Sequence, residues 1–300
     1  MIRLSLVIAT FNRSEQLLVT LGSVAEQSHP SSEWECVVVD NNSTDDTRQS
    51  IERFIAKHPT LNIRYCFCPE QGLSHARNAG INAAKGDIIA FIDDDERIVA
   101  DFITAYIELF DNERNAMAAG GKIVAEYPSG RPRWMSRLSE EPIANPMDYG
   151  EEVRTFPKGR IPGGGNMAFR REVFELIGVF DSSLGRTGKR LIGGEESDLF
   201  ERIAAAGMAV YYAPRAVMYH IIQPEKLSDD YFRRLSFNNG ISQHTRAILR
   251  GSVMSLYLHE AMKWIATLLL CLVHPPVQSR YLLMLRWNTT RGIIASGRRA

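Results

Sequence analysis

Four short apolar runs punctuate the first hundred residues, at Leu4 to Thr10, Cys36 to Asp40, Ile63 to Phe67 and Ile88 to Asp93. Their length and their β-branched clusters, VVVD among them, predict strands. Helical candidates fill the gaps over 14–27, 45–57 and 73–84. Strands separated regularly by helices of that length predict an α/β domain with a mostly parallel central sheet covered on both faces. In such a sheet ligands bind beyond the C-terminal ends of the strands, where loops and helix N termini converge. The polar segments TFNR, DNNSTDD and DDDE all stand at those ends. Ser43 or Thr44, with Asp45 and Asp46 behind, also suits the cap of the next helix, so capping accounts for part of the second segment. Asp40 lies too early for that task.

Beyond residue 120 the pattern changes. Tyr127 to Pro162 has no clear periodicity and is long for a connection, as binding loops and lids are. Order returns with PGGGNMAFRREVFELIGVF, then GGEESDLFERIAAAG, then a strand pair or one long strand around 210–219. From about Lys226 the chain is basic and apolar together. The run Trp264 to Val273 carries no charge, but it is shorter than the roughly 20 residues a spanning helix needs. An amphipathic helical segment lying in a membrane interface is expected there, or else a helix packed on the domain or on a second subunit. This divides the chain at 1–224 and 225–300.

Composition narrows the class. The 300 residues are 45% hydrophobic, enough for a full core, which excludes a disordered chain. The formal net charge is zero, yet residues 225–300 hold eleven Lys/Arg against four Asp/Glu, so the tail is +7 and the remainder −7. Cys36, Cys66, Cys68 and Cys271 form no zinc-ligand spacing, and a reduced, cytosolic setting fits them. The N terminus lacks the long apolar region and small-residue cleavage site of a secretory signal and reads as a first strand.

The chemistry concentrates in carboxylates. Asp93, Asp94, Asp95 and Glu96 repel one another unless cations or hydrogen-bond donors offset them. Such oxygen ligands suit Mg²⁺ or Mn²⁺, which bind one or two carboxylates together with substrate phosphates. The twelve-residue EF-hand loop, a Walker loop and a GxGxxG after the first strand are all missing. A second acidic cluster, GGEESDL, opens a helix, where the dipole favours Glu195, Glu196 and Asp198 even without function. Two acidic sites together with the Gly-rich GGGN loop predict a catalytic pocket.

Taken in order, TFNR, VVVDNNSTDDT, GLSHARNAGINAAKGDIIAFIDDDE, PGGGNMAFRREVF and GGEESDLFERIAAAG resemble the inverting family 2 glycosyltransferases with the GT-A fold, over roughly residues 1–222. The resemblance implies a donor site in which Asp40 contacts the nucleobase, Arg77 lies near the donor, and Asn78 with Gly80 completes that turn. Thr10, Asn12, Arg13 and Asn42 join them at the strand ends, and Gly164 and Asn166 in the glycine loop. Asp93 is expected near the ribose or sugar, and Asp95 on a Mg²⁺ or Mn²⁺ that bridges the diphosphate. Asp94 belongs to the same donor-binding group, although strand alternation turns it to the other side, toward a structural task. Glu196 aligns with the catalytic base, preceded by Glu195, and the choice between the two stays open. His220 takes the place of a further metal ligand.

The resemblance further implies a nucleotide-sugar donor, UDP-linked first with GDP and dTDP open, and a glycan or lipid-linked acceptor in cell-surface polysaccharide or glycolipid assembly. LLMLRW lacks the glutamine of the processive QxxRW motif, so single addition is expected. The location expected is cytoplasmic and peripheral at the inner membrane face, with a possible homodimer and no nucleic-acid partner. A nucleotidyltransferase and a catalytically silent nucleotide-sugar or glycan-binding protein are the competing readings.

Overall fold

Strands β1 (Leu4–Thr10) and β2 (Trp34–Asp40) form where the apolar runs predict them, with all but one of their residues buried. The computed structural model describes residues 1–186 and 193–297. Helices α1 (Ser14–Ala25) and α2 (Thr47–Lys57) lead on to β3 (Ile63–Phe67), α3 (Leu73–Ala83) and β4 (Ile88–Asp93). A short β5 (Glu96–Ile98), α4 (Phe102–Asn112) and β6 (Ala116–Glu126) follow. The aperiodic stretch contains α5 (Arg137–Ala144) and β7 (Arg154–Thr155). Next come β8 (Met167–Arg170), α6 (Arg171–Ile177), α7 (Glu195–Ala205) and β9 (Ala209–Ile221), a single long strand. After a 3₁₀ turn, Pro224–Leu227, the tail forms α8 (Asp229–Leu249), α9 (Val253–Cys271) and α10 (Pro276–Gly297).

The sheet runs β3-β2-β1-β4-β8-β6-β9-β5, with β7 on β9. Its first four strands are parallel, joined by the α1, α2 and α3 crossovers, while β8 pairs antiparallel with β4 and β6, and β9 antiparallel with β5 and β7. The register lines up Thr10 with Asp40, Ala9 with Asp93, and Asp40 with Phe67, so the polar strand ends lie along one edge of the sheet. Successive side chains go to opposite faces. Leu4, Leu6 and Ile8 pack with Leu17, Leu21, Ile51 and Phe102 on one face. Val7, Val37, Val39 and Phe91 pack with Ala76, Phe174, Leu199 and Phe200 on the other. Gly80 lets α3 approach closely, since a Cβ there would lie 2.3 Å from Val7 Cγ1.

The described residues divide into two compact units, 1–124, 147–186 and 195–221 in one and 125–146, 193–194 and 222–297 in the other. In the second, Met135, Ile143, Phe232, Leu235 and Tyr281 share a core, with Trp134 stacked on Tyr281 at 4.0 Å between centroids. The short α5 escapes a periodicity reading because it is eight residues long and contains Pro142; a Ser136–Ser139 capping box starts it.

Near the N-terminal ends of the strands, opposite the polar edge, Glu35 is fully buried. It accepts hydrogen bonds from Ser5 Oγ (2.7 Å), the Lys85 N–H (2.6 Å) and Arg64 Nη2 (2.8 Å). Burial alone would raise its pKa, but those donors outweigh burial and hold it below the ordinary glutamate value of 4.5. Glu35→Ala should therefore lower the unfolding free energy by about 3–5 kcal/mol at neutral pH, measured by chemical denaturation. With the folded pKa below the unfolded one, this stabilisation is present above the unfolded pKa. The gap between wild type and variant should narrow as pH falls below about 4.5 and through the lower, folded value.

Candidate active site

The β4 strand stops at Asp93, and the chain turns through Asp94 and Asp95 before β5 begins at Glu96. Strand alternation therefore does not set the direction of Asp94. Its carboxylate accepts from Thr10 Oγ1 (2.8 Å) and Arg13 Nη1 (2.9 Å), and the same guanidinium nitrogen lies 3.3 Å from Asp95 Oδ2. Burial raises the Asp94 pKa to about 6, reinforced by the Asp95 charge and opposed by Arg13 and Thr10. The Asp94, Asp95 and Asp93 carboxylates push Arg13 above its ordinary value against the burial that would lower it. Thr10, Arg13 and Asp94 thus fix the turn that presents Asp93 and Asp95.

Asp93 keeps 39% of its side chain exposed, whereas Asp95 and Glu96 are buried. One carboxylate oxygen from each of the three lies within 4.8 Å of the others. Glu96, which sequence reasoning counted in the acidic run but gave no role, accepts the Asp93 N–H at 2.8 Å. The loop glycine above it is required, because a Cβ on Gly165 would fall 1.9 Å from Glu96 Oε1. β5 pairs with β9 so that Glu96 faces His220, whose Nε2 lies 4.0 Å from Asp95 Oδ1. A register between strands over a hundred residues apart brings that histidine to the cluster.

The second acidic cluster reaches the first through Arg77. This fully buried guanidinium, on α3, bonds Glu195 Oε1 (2.9 Å) with Nη1, and with Nη2 bonds the Gly164 carbonyl (3.1 Å) and Asp93 Oδ1 (3.3 Å). It also sits 5.5 Å from the Phe180 ring centroid. Burial would lower its pKa, but Asp93, Glu195 and Glu196 raise it. Glu195 and Glu196 each leave Oε2 buried without a hydrogen-bond partner. Burial and the neighbouring Glu196 charge raise Glu195 to about 8, against the pull of Arg77. For Glu196, burial is outweighed by Arg77, its own backbone N–H and the proton on Glu195, so its pKa falls below the ordinary range. At neutral pH the pair holds one proton and one charge. Gly164 admits this packing: a Cβ there would lie 3.0 Å from Arg77 Nη2 and 3.4 Å from Glu196 Oε1.

Helix α3 anchors the neighbouring loop as well. Asn78 clamps the backbone of Phe180, donating to its carbonyl (2.8 Å) and accepting its N–H (3.0 Å). Ser74 Oγ donates to the Leu184 carbonyl at 2.7 Å, next to Gly185, whose φ of +99° suits glycine. At the strand-two end, Asp40 accepts from the Ser43 N–H (2.9 Å) and the Tyr65 hydroxyl (2.9 Å) and is buried. Asn12 accepts the Thr44 N–H at 2.7 Å, and Asn42 donates to the Pro69 carbonyl at 3.3 Å; both asparagines adopt positive φ, 52° and 63°. Asn41 was missed, although its amide joins two loops by donating to Glu70 O (2.6 Å) and accepting from Gly72 N–H (2.8 Å).

Asn166 does not face the acidic groups. It is fully buried, with Oδ1 accepting from Tyr106 Oη (2.5 Å) and Nδ2 donating to the carbonyls of Lys122 (3.0 Å) and Ala216 (2.9 Å). Its capacity is spent on holding the glycine loop to the sheet. The Asn78 amide is likewise committed, to the Phe180 backbone.

A sheet with parallel strand ends carrying an Asp-x-Asp turn, and a helix-borne acidic pair facing it, defines a glycosyltransferase of the GT-A fold. The chain belongs to Glycosyl transferase family 2, which matches residues 5–178, more than half of its length. It is 29% identical over 237 residues to the succinoglycan biosynthesis protein ExoM of Rhizobium meliloti (strain 1021), covering 78% of this chain and 71% of that protein. Among solved structures, a mannosyltransferase from Pyrobaculum calidifontis in complex with GDP-Man and Mn²⁺ superposes with TM-score 0.64 at 18% identity, over 98% of this chain and 86% of the other. S. aureus TarS 1–349 in complex with UDP gives TM-score 0.55 at 21% identity over 79% of this chain, which spans 65% of that one. The expected fold class, family and enzyme class are borne out.

Replacing Arg77 by Met should leave the Glu195 and Glu196 carboxylates without their buried countercharge. A loss of about 3–5 kcal/mol in unfolding free energy is expected by urea denaturation at neutral pH. A change smaller than about 1 kcal/mol would show that the cluster does not depend on this arginine.

Proposed function

We propose that this protein transfers one sugar from a nucleoside-diphosphate sugar to an acceptor hydroxyl with inversion at the anomeric carbon. The observation that carries the reading is Arg77 spanning Asp93 on one side and the Glu195–Glu196 pair on the other, so that two acidic groups with different charge states face one space. Strand-end Asp40, with Tyr65 behind it, suits the nucleobase, and Asp93 the ribose or sugar. The clustered oxygens of Asp93, Asp95 and Glu96, with His220 beside Asp95, fit a hard divalent cation. Asp95 and His220 would hold Mg²⁺ or Mn²⁺, which when bound supplies positive charge to the diphosphate.

Bond exchange needs a base on the side of the sugar opposite the departing diphosphate. Glu196, ionised near neutral pH and with a buried oxygen unpartnered, accepts the hydroxyl proton as the acceptor oxygen attacks. Glu195 carries a proton already and acts as a positioning residue between Arg77 and Glu196. A silent binding protein has no use for a carboxylate oxygen kept buried and unsatisfied, at a cost of about 1–3 kcal/mol. All these side chains lie within residues 1–224.

The nucleotide reading takes UDP first, as in the TarS complex, with GDP second, as in the Pyrobaculum enzyme. The succinoglycan role of ExoM supports polysaccharide or glycolipid assembly, with a glycan or lipid-linked acceptor. Single addition rests on Leu283 standing where a processive enzyme has glutamine.

With Mn²⁺ and a panel of nucleotide sugars, nucleotide release by Asp95→Ala should fall to background. Glu196→Gln should lower kcat by about 10² to 10⁴-fold. Glu195→Gln should keep most of the rate near pH 7, because it mimics the protonated form already present. The opposite ranking of the two glutamine variants would remove Glu196 from the role of base.

A further inference from the structure

Helix α9 buries polar residues and turns apolar ones outward, the reverse of what water selects. On α9 and its C-cap residue Leu272, the exposed apolar residues Met254, Leu258, Met262, Ile265, Leu269 and Leu272 recur at steps of three and four and share one face; exposure runs from 48% at Met262 to 82% at Met254. The opposite face holds the only buried residues of that helix, Glu260 and Thr267. Glu260 pairs with Arg286 at 2.9 Å and accepts from Thr290 Oγ1 at 2.7 Å, and the Trp264 indole donates to that hydroxyl at 2.9 Å. Helices α8 and α10 meet through glycines: a Cβ on Gly240 would lie 2.0 Å from the Thr289 carbonyl oxygen, and one on Gly292 2.0 Å from that of Phe237. Small residues and polar links between helices, with apolar side chains turned outward, are the packing that hydrocarbon surroundings favour.

Charge selects the occupant. Residues 231–297 contain eight Lys/Arg and one acid, Glu260, which is buried. Arg250, Lys263 and Arg291 are exposed. On α10, Trp287 is 58% exposed, and Leu283 and Ile294 are exposed as well. An amphipathic helix with Arg250 just before it and Lys263 on it, in a unit that also exposes a tryptophan, suits the headgroup region of an anionic bilayer. A second copy of the chain suits it less, since a two-fold contact would set two positively charged faces against each other. Among the described residues no helix is long and apolar enough to cross a membrane, so the contact is in-plane.

We infer that the outer face of α9 is a docking surface for an anionic lipid bilayer, into whose headgroup region α9 settles lengthwise. The inference stands apart from the transfer chemistry, and its test can fail without touching it. The full chain should co-sediment with vesicles of phosphatidylglycerol and phosphatidylcholine in equal parts and bind phosphatidylcholine alone more weakly. The double variant Leu258→Glu, Ile265→Glu changes exposed positions only. It should keep the wild-type circular dichroism and nucleotide-release rate while its vesicle affinity falls about tenfold or more. Wild-type protein left in the supernatant with both lipid mixtures would overturn the inference. So would equal binding to both, or a lipid-free dimer by light scattering that the double variant dissociates.

Discussion

A buried guanidinium with carboxylates on two sides is the constraint around which this site is built. Arg77 is almost inaccessible to water, and an unpaired charge there would be untenable. Its pairing with Asp93, the Gly164 carbonyl and Glu195 fixes three elements at once: the end of β4, the glycine loop and the start of α7. Because one guanidinium cannot balance three nearby carboxylates, a proton stays on the glutamate pair. The difference in charge state between Glu195 and Glu196 then follows from charge balance, without any specialised fold.

The glycines of the loop serve the same constraint. Gly164 lets Arg77 and Glu196 approach the backbone, and Gly165 makes room for Glu96. Asn166 ties the loop to the sheet through Tyr106, Lys122 and Ala216. A Gly-Gly-Gly-Asn run therefore reads as space for carboxylates followed by an anchor, and the asparagine's polarity faces inward.

Much of this is legible in the amino-acid sequence. The four parallel strands and three intervening helices fall within about two residues of the positions their apolar runs indicate, because long periodic segments and buried β-branched runs dominate local choice. The strand-end placement of Thr10, Asp40 and Asp93 follows from parallel register alone. What sequence could not show is where alternation stops: Asp94 sits in a turn and bonds Thr10 and Arg13, contacts 84 and 81 residues away in the chain. Nor could it show that Glu96 is drawn under Gly165 by antiparallel pairing with β9. The inverted polarity of α9 was half visible as a basic, apolar tail; that Glu260 and Thr267 are its buried residues depends on which face meets α10.

The central claim is that Arg77 holds a carboxyl pair sharing one proton opposite the Asp-x-Asp turn. Infrared difference spectroscopy across a pH titration tests it directly, through the carbonyl stretch of a protonated carboxylic acid. The account predicts such a band at neutral pH, lost as pH rises through about 8 and missing from Glu195→Gln. A spectrum with no protonated carboxyl at neutral pH, or one unchanged by that substitution, would contradict it.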